Sequence, residues 1–125
     1  MSLHESFDVL CWSIYNIDKN IKSVAVINNK GKIVEKILKP EFAEQFPDYF
    51  NELFCMHHVL QISMGRDFDD HHGPVNYHIS ERANLITLTF PLHKNIMLVT
   101  TSKNVSPITL ARKITPLIEK HRQPV

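Results

Sequence analysis

Glycine is scarce in this chain: Gly31, Gly65 and Gly73 are the three in 125 residues. Backbone cradles for phosphate need closely spaced glycines, and these three form neither a Walker loop nor a G-x-G-x-x-G run. The chain itself is therefore not expected to bind nucleotide. Cysteine is scarcer still. Cys11 and Cys55 lie inside apolar helical patterns with no Cys-x-x-Cys pair, which reads as two small buried hydrophobes. A charge excess is missing as well: 14 Lys and Arg stand against 13 Asp and Glu, a net charge of +1. That balance gives no broad electrostatic funnel for nucleic acid or anionic lipid. Arg112, Lys113, Lys120 and Arg122 near the C-terminus read as a solvated helix face. No apolar run approaches the roughly 20 residues that span a bilayer. The opening MSLHESFDVL lacks the basic start and continuous apolar stretch of a signal peptide. A cytoplasmic protein is the expectation.

What is present is the material of a core. Hydrophobic residues make up 43% and charged residues 22%, close to globular proportions, so global disorder is excluded. Residues 1–125 read as a single domain, long enough to bury a core without disulfide or metal staples.

Hydrophobic spacing gives the element order. Phe7, Leu10, Cys11, Ile14, Ile17 and Ile21 recur at three- and four-residue steps, which predicts a helix from Ser2 to about Ile21, capped by Ser2 (with Glu5 three residues on) or Ser6. Residues 23–28 are short and β-branched, Asn29-Lys30-Gly31 is a turn, and residues 32–39 return as a second strand that Pro40 ends. A helix is expected from Glu41 to about Met64, its continuous part starting at Pro47 or Asp48. Its wide apolar face runs from Phe42 and Phe46 through Tyr49, Phe50, Leu53, Phe54, Met56, His57 and Leu60 to Met64. Residues 66–74 read as a loop. Val75, Tyr77 and Ile79 alternate with polar residues, and two further strands follow at residues 85–90 and 96–101. Ser106-Pro107 opens a last helix, which Pro116 should bend. The fold class is α/β (α+β): a five-stranded antiparallel sheet with three helices, in the order α-β-β-α-β-β-β-α.

That order resembles the roadblock/dynein light-chain family, whose fold is profilin-like. The segment SVAVINNKGKIVEKI is similar to the family's first hairpin, and LITLTFPLHKNIMLVTTSKNVSP to its last hairpin and the start of its final helix. The middle segment FNELFCMHHVLQISMGRDFDDHH departs from the small-residue helix common in the family and carries a longer loop. The resemblance implies a non-catalytic homodimer serving as a scaffold or regulatory module, with a small Ras-like GTPase or a larger complex as partner. In this chain the matching dimer or partner surface is Tyr49, Phe50, Leu53, His57, Leu60, Val75, Tyr77 and Ile79.

The eight histidines are the compositional oddity. Asp69, His71, His72 and His78 are the candidates for a metal site, but no His-x-x-x-His or His-Glu-x-x-His spacing occurs, and a solvated loop is the preferred reading. His57 and His58, repeated across a dimer axis, would bring four imidazoles together and weaken the pair when protonated near pH 6. No serine sits on a glycine-rich elbow, and Cys55 and His57 are spaced to face different sides of a helix. No catalytic residue and no cofactor is therefore expected. Two alternatives stay open: a small-molecule or redox sensor with a PAS/profilin-like sheet and a pocket lined by Phe50, Phe54, Tyr77 and Phe90, and a metal-binding protein built on the histidine loop.

Overall fold

The computed structural model describes residues 6–122. The sheet is built outward from its most apolar strands. β1 (Ile21–Ile27) and β5 (Asn95–Thr101) are buried over nearly their whole length and pair antiparallel, with Val24 opposite Val99 and Val26 opposite Met97. Strands buried on both faces read as near-continuous hydrophobic runs, and these two do. β2 (Ile33–Leu38) flanks β1, β4 (Ile86–Leu92) flanks β5, and the four-residue β3 (His78–Glu81) closes the far edge. The strand order is β2-β1-β5-β4-β3, antiparallel throughout.

The first hairpin turns where the sequence places it. Asn28 Oδ1 accepts the amides of Lys30 and Lys32 at 2.9 and 3.0 Å, and Gly31 takes a φ of +79° that a side chain would resist. The register slips between Val26 and Ile27, so Val34 has no direct partner on β1.

Strand alternation divides the sheet into two faces. On one, Val24, Val26, Leu88, Phe90, Met97 and Val99 pack against α1 (Phe7–Tyr15) and α5 (Pro107–Arg122) through Leu10, Cys11, Ile14, Leu110, Ala111 and Ile114. The opposite face offers Ile27, Ile96 and Leu98 to α3 (Glu52–Gly65), which answers with Cys55, Val59 and Ile62. The second core is much the smaller. Thr87, Thr89, Thr100 and Ser23 share its sheet face by alternation, so α3 lies over a partly polar floor.

Several expectations are corrected. α1 stops at Tyr15, and Ile21 already belongs to β1. Ser6 occupies the N-cap position, but its hydroxyl donates to the Asp8 carboxylate and accepts no helix amide. The alternative cap, Ser2 with Glu5, lies outside the described residues. The long middle helix is two: α2 (Pro40–Gln45) and α3, separated by residues 46–51. The expected loop at 66–74 contains a 3₁₀ turn (Arg66–Phe68) and one helical turn, α4 (Asp69–His72). Pro116 lies inside α5, a 16-residue helix, where the sequence places it. Arg122 leaves the solvated face to donate to the Pro91 carbonyl. Among the described residues no helix is long and apolar enough to cross a membrane.

Candidate functional site

α3 begins at Asn51, whose side chain accepts the Phe54 amide at 2.9 Å, while its Nδ2 donates to the Asp48 carbonyl at 3.0 Å. From that cap two stripes follow. Cys55, His58, Val59 and Ile62, at steps of three, one and three, turn inward. Leu53, His57, Leu60 and Met64, at steps of four, three and four, remain outside. Their three apolar members are large and strongly exposed: Leu53 at 82%, Leu60 at 52% and Met64 at 68%. Steps of four and three are the spacing of a helix seam that packs against another helix. Phe68, just beyond α3, extends the exposed apolar surface.

The apolar face expected of the middle helix is thus in large part the face that α3 presents to solvent. The eight surface residues fall into three places. Leu53, His57 and Leu60 share the outer ridge of α3. Tyr49 and Phe50 belong to the linker before it and are half-buried in an aromatic cluster: Tyr49 lies 4.8 Å from Phe42, 5.0 Å from Phe50 and 4.7 Å from Phe54, between ring centroids. Val75 and Tyr77 precede β3, and Ile79 lies within it. Tyr77 and Ile79 pack toward the α1/α5 core, away from α3. Met64 and Phe68 add to the surface read from the sequence, and the four-three-four spacing is the signal for Met64.

His57 and His58 are also separated. His57 is exposed on the ridge, whereas His58 is 4% exposed against the sheet. Only His57 of the pair is therefore exposed to a surface axis, although the two rings lie 5.1 Å apart between centroids. The His58 ring packs edge-on to Phe54 at 4.7 Å, and neither of its nitrogens has a hydrogen-bond partner among the described residues. Burial pulls its pKa down to about 4, helped by the nearby charges of His57, Arg82 and His78. His58 is neutral at physiological pH.

Asp69, His71 and His72 lie on α4, and His78 on β3. No three His, Cys, Asp or Glu side chains converge on a common point among the described residues. The pocket expected between Phe50, Phe54, Tyr77 and Phe90 does not form, because Phe50 and Phe54 lie on the α3 side of the sheet and Tyr77 and Phe90 on the other. A cleft of about 340 Å³ opens elsewhere, between Ile33, Lys36 and Leu38 of β2 and residues 43 and 46–51. Both thiols are buried and raised in pKa by that burial, Cys11 to about 12. Neither is an activated nucleophile.

No protein-family model and no curated protein sequence matches the chain. Solved structures do. A Roadblock/LC7 domain from Streptomyces avermitilis superposes with a TM-score of 0.68 at 14% identity, over 94% of this chain and 96% of that one. MglB from Myxococcus xanthus gives 0.71 at 11% identity, over 98% and 92%. A LokiProfilin2 solved in complex with rabbit actin gives 0.53 at 12% identity, over 98% of each chain. The fold is the roadblock/profilin-like one.

Proposed function

We propose that this protein is a non-catalytic, cytoplasmic regulatory or scaffolding module that works as a homodimer, pairing through the outer ridge of α3 and the neighbouring edge of β3. The observation that carries the reading is the exposed seam Leu53–His57–Leu60–Met64. Three large apolar side chains at seam spacing on one helix form a contiguous patch of the kind that marks an interaction site. Beside it β3 pairs, among the described residues, with β4 alone, so its outer edge offers backbone groups to another strand. A two-fold axis would let both features meet their own copies, closing the edge and burying the ridge. Among proteins of this fold, one MglB structure is described as having a tetrameric arrangement. The partner expected of the assembled dimer, by resemblance, is a small Ras-like GTPase or a larger complex.

The test is sedimentation equilibrium on the purified protein and on Leu60→Asp. A dimer at micromolar concentration, converted to monomer by the aspartate with unchanged circular dichroism, is the expected result. A wild-type monomer at high micromolar concentration, or a Leu60→Asp variant that dimerises as well, overturns the interface. Binding of purified Ras-like GTPases, loaded with GDP or with a GTP analogue, tests the partner.

A further inference from the structure

The inner side of the same helix poses a separate question. The α3 core has three apolar anchors, Cys55, Val59 and Ile62, set on Ile27, Ile96 and Leu98. The fourth inward position is His58. An apolar side chain there would bury its surface without penalty, whereas an imidazole with two unpartnered buried nitrogens costs stability. Each such group in a folded protein calls for a reason. The floor around it repeats the pattern: His78 Nε2 and Thr89 Oγ1 are buried and without a hydrogen-bond partner among the described residues, and their residues are cross-strand partners in the β3–β4 ladder, facing α3.

We infer that His58 is a proton-sensitive latch: neutral, it completes the seat of α3 on the sheet, and protonated, it releases α3. The charged and titratable groups around it are His57 on its own helix, His78 on β3 and Arg82 in the turn after β3. Arg82 is a cation, and neither histidine carries a negative charge. None can stabilise an imidazolium, so a proton on His58 is accommodated only by moving the ring to water. α3 is suited to such a movement, since its buried contacts are few and it is flanked by the irregular residues 46–51 on one side and by two short turns and the irregular residues 73–77 on the other. The consequence for partners rests on the reading above, because the ridge that would be withdrawn is the outer side of this helix. The latch itself does not depend on that reading.

Hydrogen exchange followed by mass spectrometry at about pH 7.5 and about pH 5 tests the latch, with rates corrected for intrinsic exchange. A ring pKa of about 4 in the closed helix and 6.5 in the open one predicts about 30-fold more opening of residues 52–65 at the lower pH. Residues of β1 and β5 should change far less. In His58→Phe the α3 response should vanish, while His57→Gln should keep it. An α3 that stays equally protected at both values overturns the latch, as does an undiminished response in His58→Phe. Should that variant fail to fold, titration of the wild-type His58 ring by NMR decides the matter. An ordinary pKa with α3 still protected overturns the latch, and a depressed one, with α3 amides losing protection in step, supports it. Sedimentation at the same two values keeps the readings apart: a monomer throughout, whose α3 still opens with acid, supports the latch while removing the dimer.

Discussion

Tyr49, in the linker between α2 and α3, places its hydroxyl 2.7 Å from Thr100 Oγ1 on the central strand β5. The contact ties a non-helical segment to the middle of the sheet, with Phe42, Phe50 and Phe54 packed around the tyrosine ring. Burial, opposed in part by that bond, pushes the phenol up to about 12, so it stays protonated.

Removing the hydroxyl tests how much the tie contributes. Tyr49→Phe keeps the ring and strands Thr100, which is fully buried. A loss of about 1–2 kcal/mol is expected, within the usual cost of one buried group left without its partner. Pairing it with Thr100→Val should recover part of the loss, since both polar ends are then gone. Urea unfolding of the two variants measures this, and additive losses in the double variant would contradict the account.

Gly31 joins the first hairpin to α3. A methyl group at that position would stand 2.6 Å from Met56 Sδ on α3, and the φ of +79° adds backbone strain for any side chain. Gly31→Ala should therefore cost about 1–3 kcal/mol, of which about 1–2 is backbone. Met56→Ala in the same chain should relieve the steric share alone. If the double variant regained wild-type stability, the positive φ would not be the main cost.

Much of this architecture is legible in the sequence because local chemistry and tertiary packing agree. Asn28 through Gly31 can scarcely do anything but turn, and Ser106-Pro107 starts α5 where a capping residue and a proline should. The failures lie where long-range contacts override local pattern. Phe46, Tyr49 and Phe50 keep a helical period, yet Thr100 claims the tyrosine hydroxyl and Asn51 starts a new helix. Val75 and Tyr77 alternate as a strand should, but pairing stops at His78 opposite Thr89. Two residues further, Asn76 would face Pro91, which has no N–H to give. The site suffers from a subtler ambiguity. Two stripes run along α3: the apolar face read from the sequence includes Leu53, Met56, His57, Leu60 and Met64, although Cys55, His58, Val59 and Ile62 form the stripe that the sheet covers.

The two thiols provide a probe of how firmly each face is held. Cys11 lies in the larger core, and Glu35 and Asp8 add to the burial that suppresses its thiolate. Cys55 lies in the thinner core under α3. Neither should react with a thiol reagent such as DTNB on mixing at neutral pH, and both should react at once in denaturant. On long exposure Cys55 should be modified first, because α3 opens at lower cost than the rest. Rapid native labelling of Cys11 would contradict its placement.

The dependence of stability on pH follows from His58 with a definite sign. Its folded pKa, about 4, lies below the ordinary histidine value of 6.5, so the unfolded chain takes up the proton first. The folded state therefore has its full advantage above about pH 6.5 and loses it as the pH falls toward 4. Between about pH 7.5 and pH 4.5 the loss amounts to about 2.5 kcal/mol. Carboxylates elsewhere also begin to titrate over that interval, so the informative quantity is the difference between the wild type and His58→Phe. Urea midpoints at the two values should move closer together in the variant, and its stability at low pH should exceed that of the wild type. An equal loss in both proteins would assign the acid sensitivity to other groups, leaving the imidazole under α3 as packing alone.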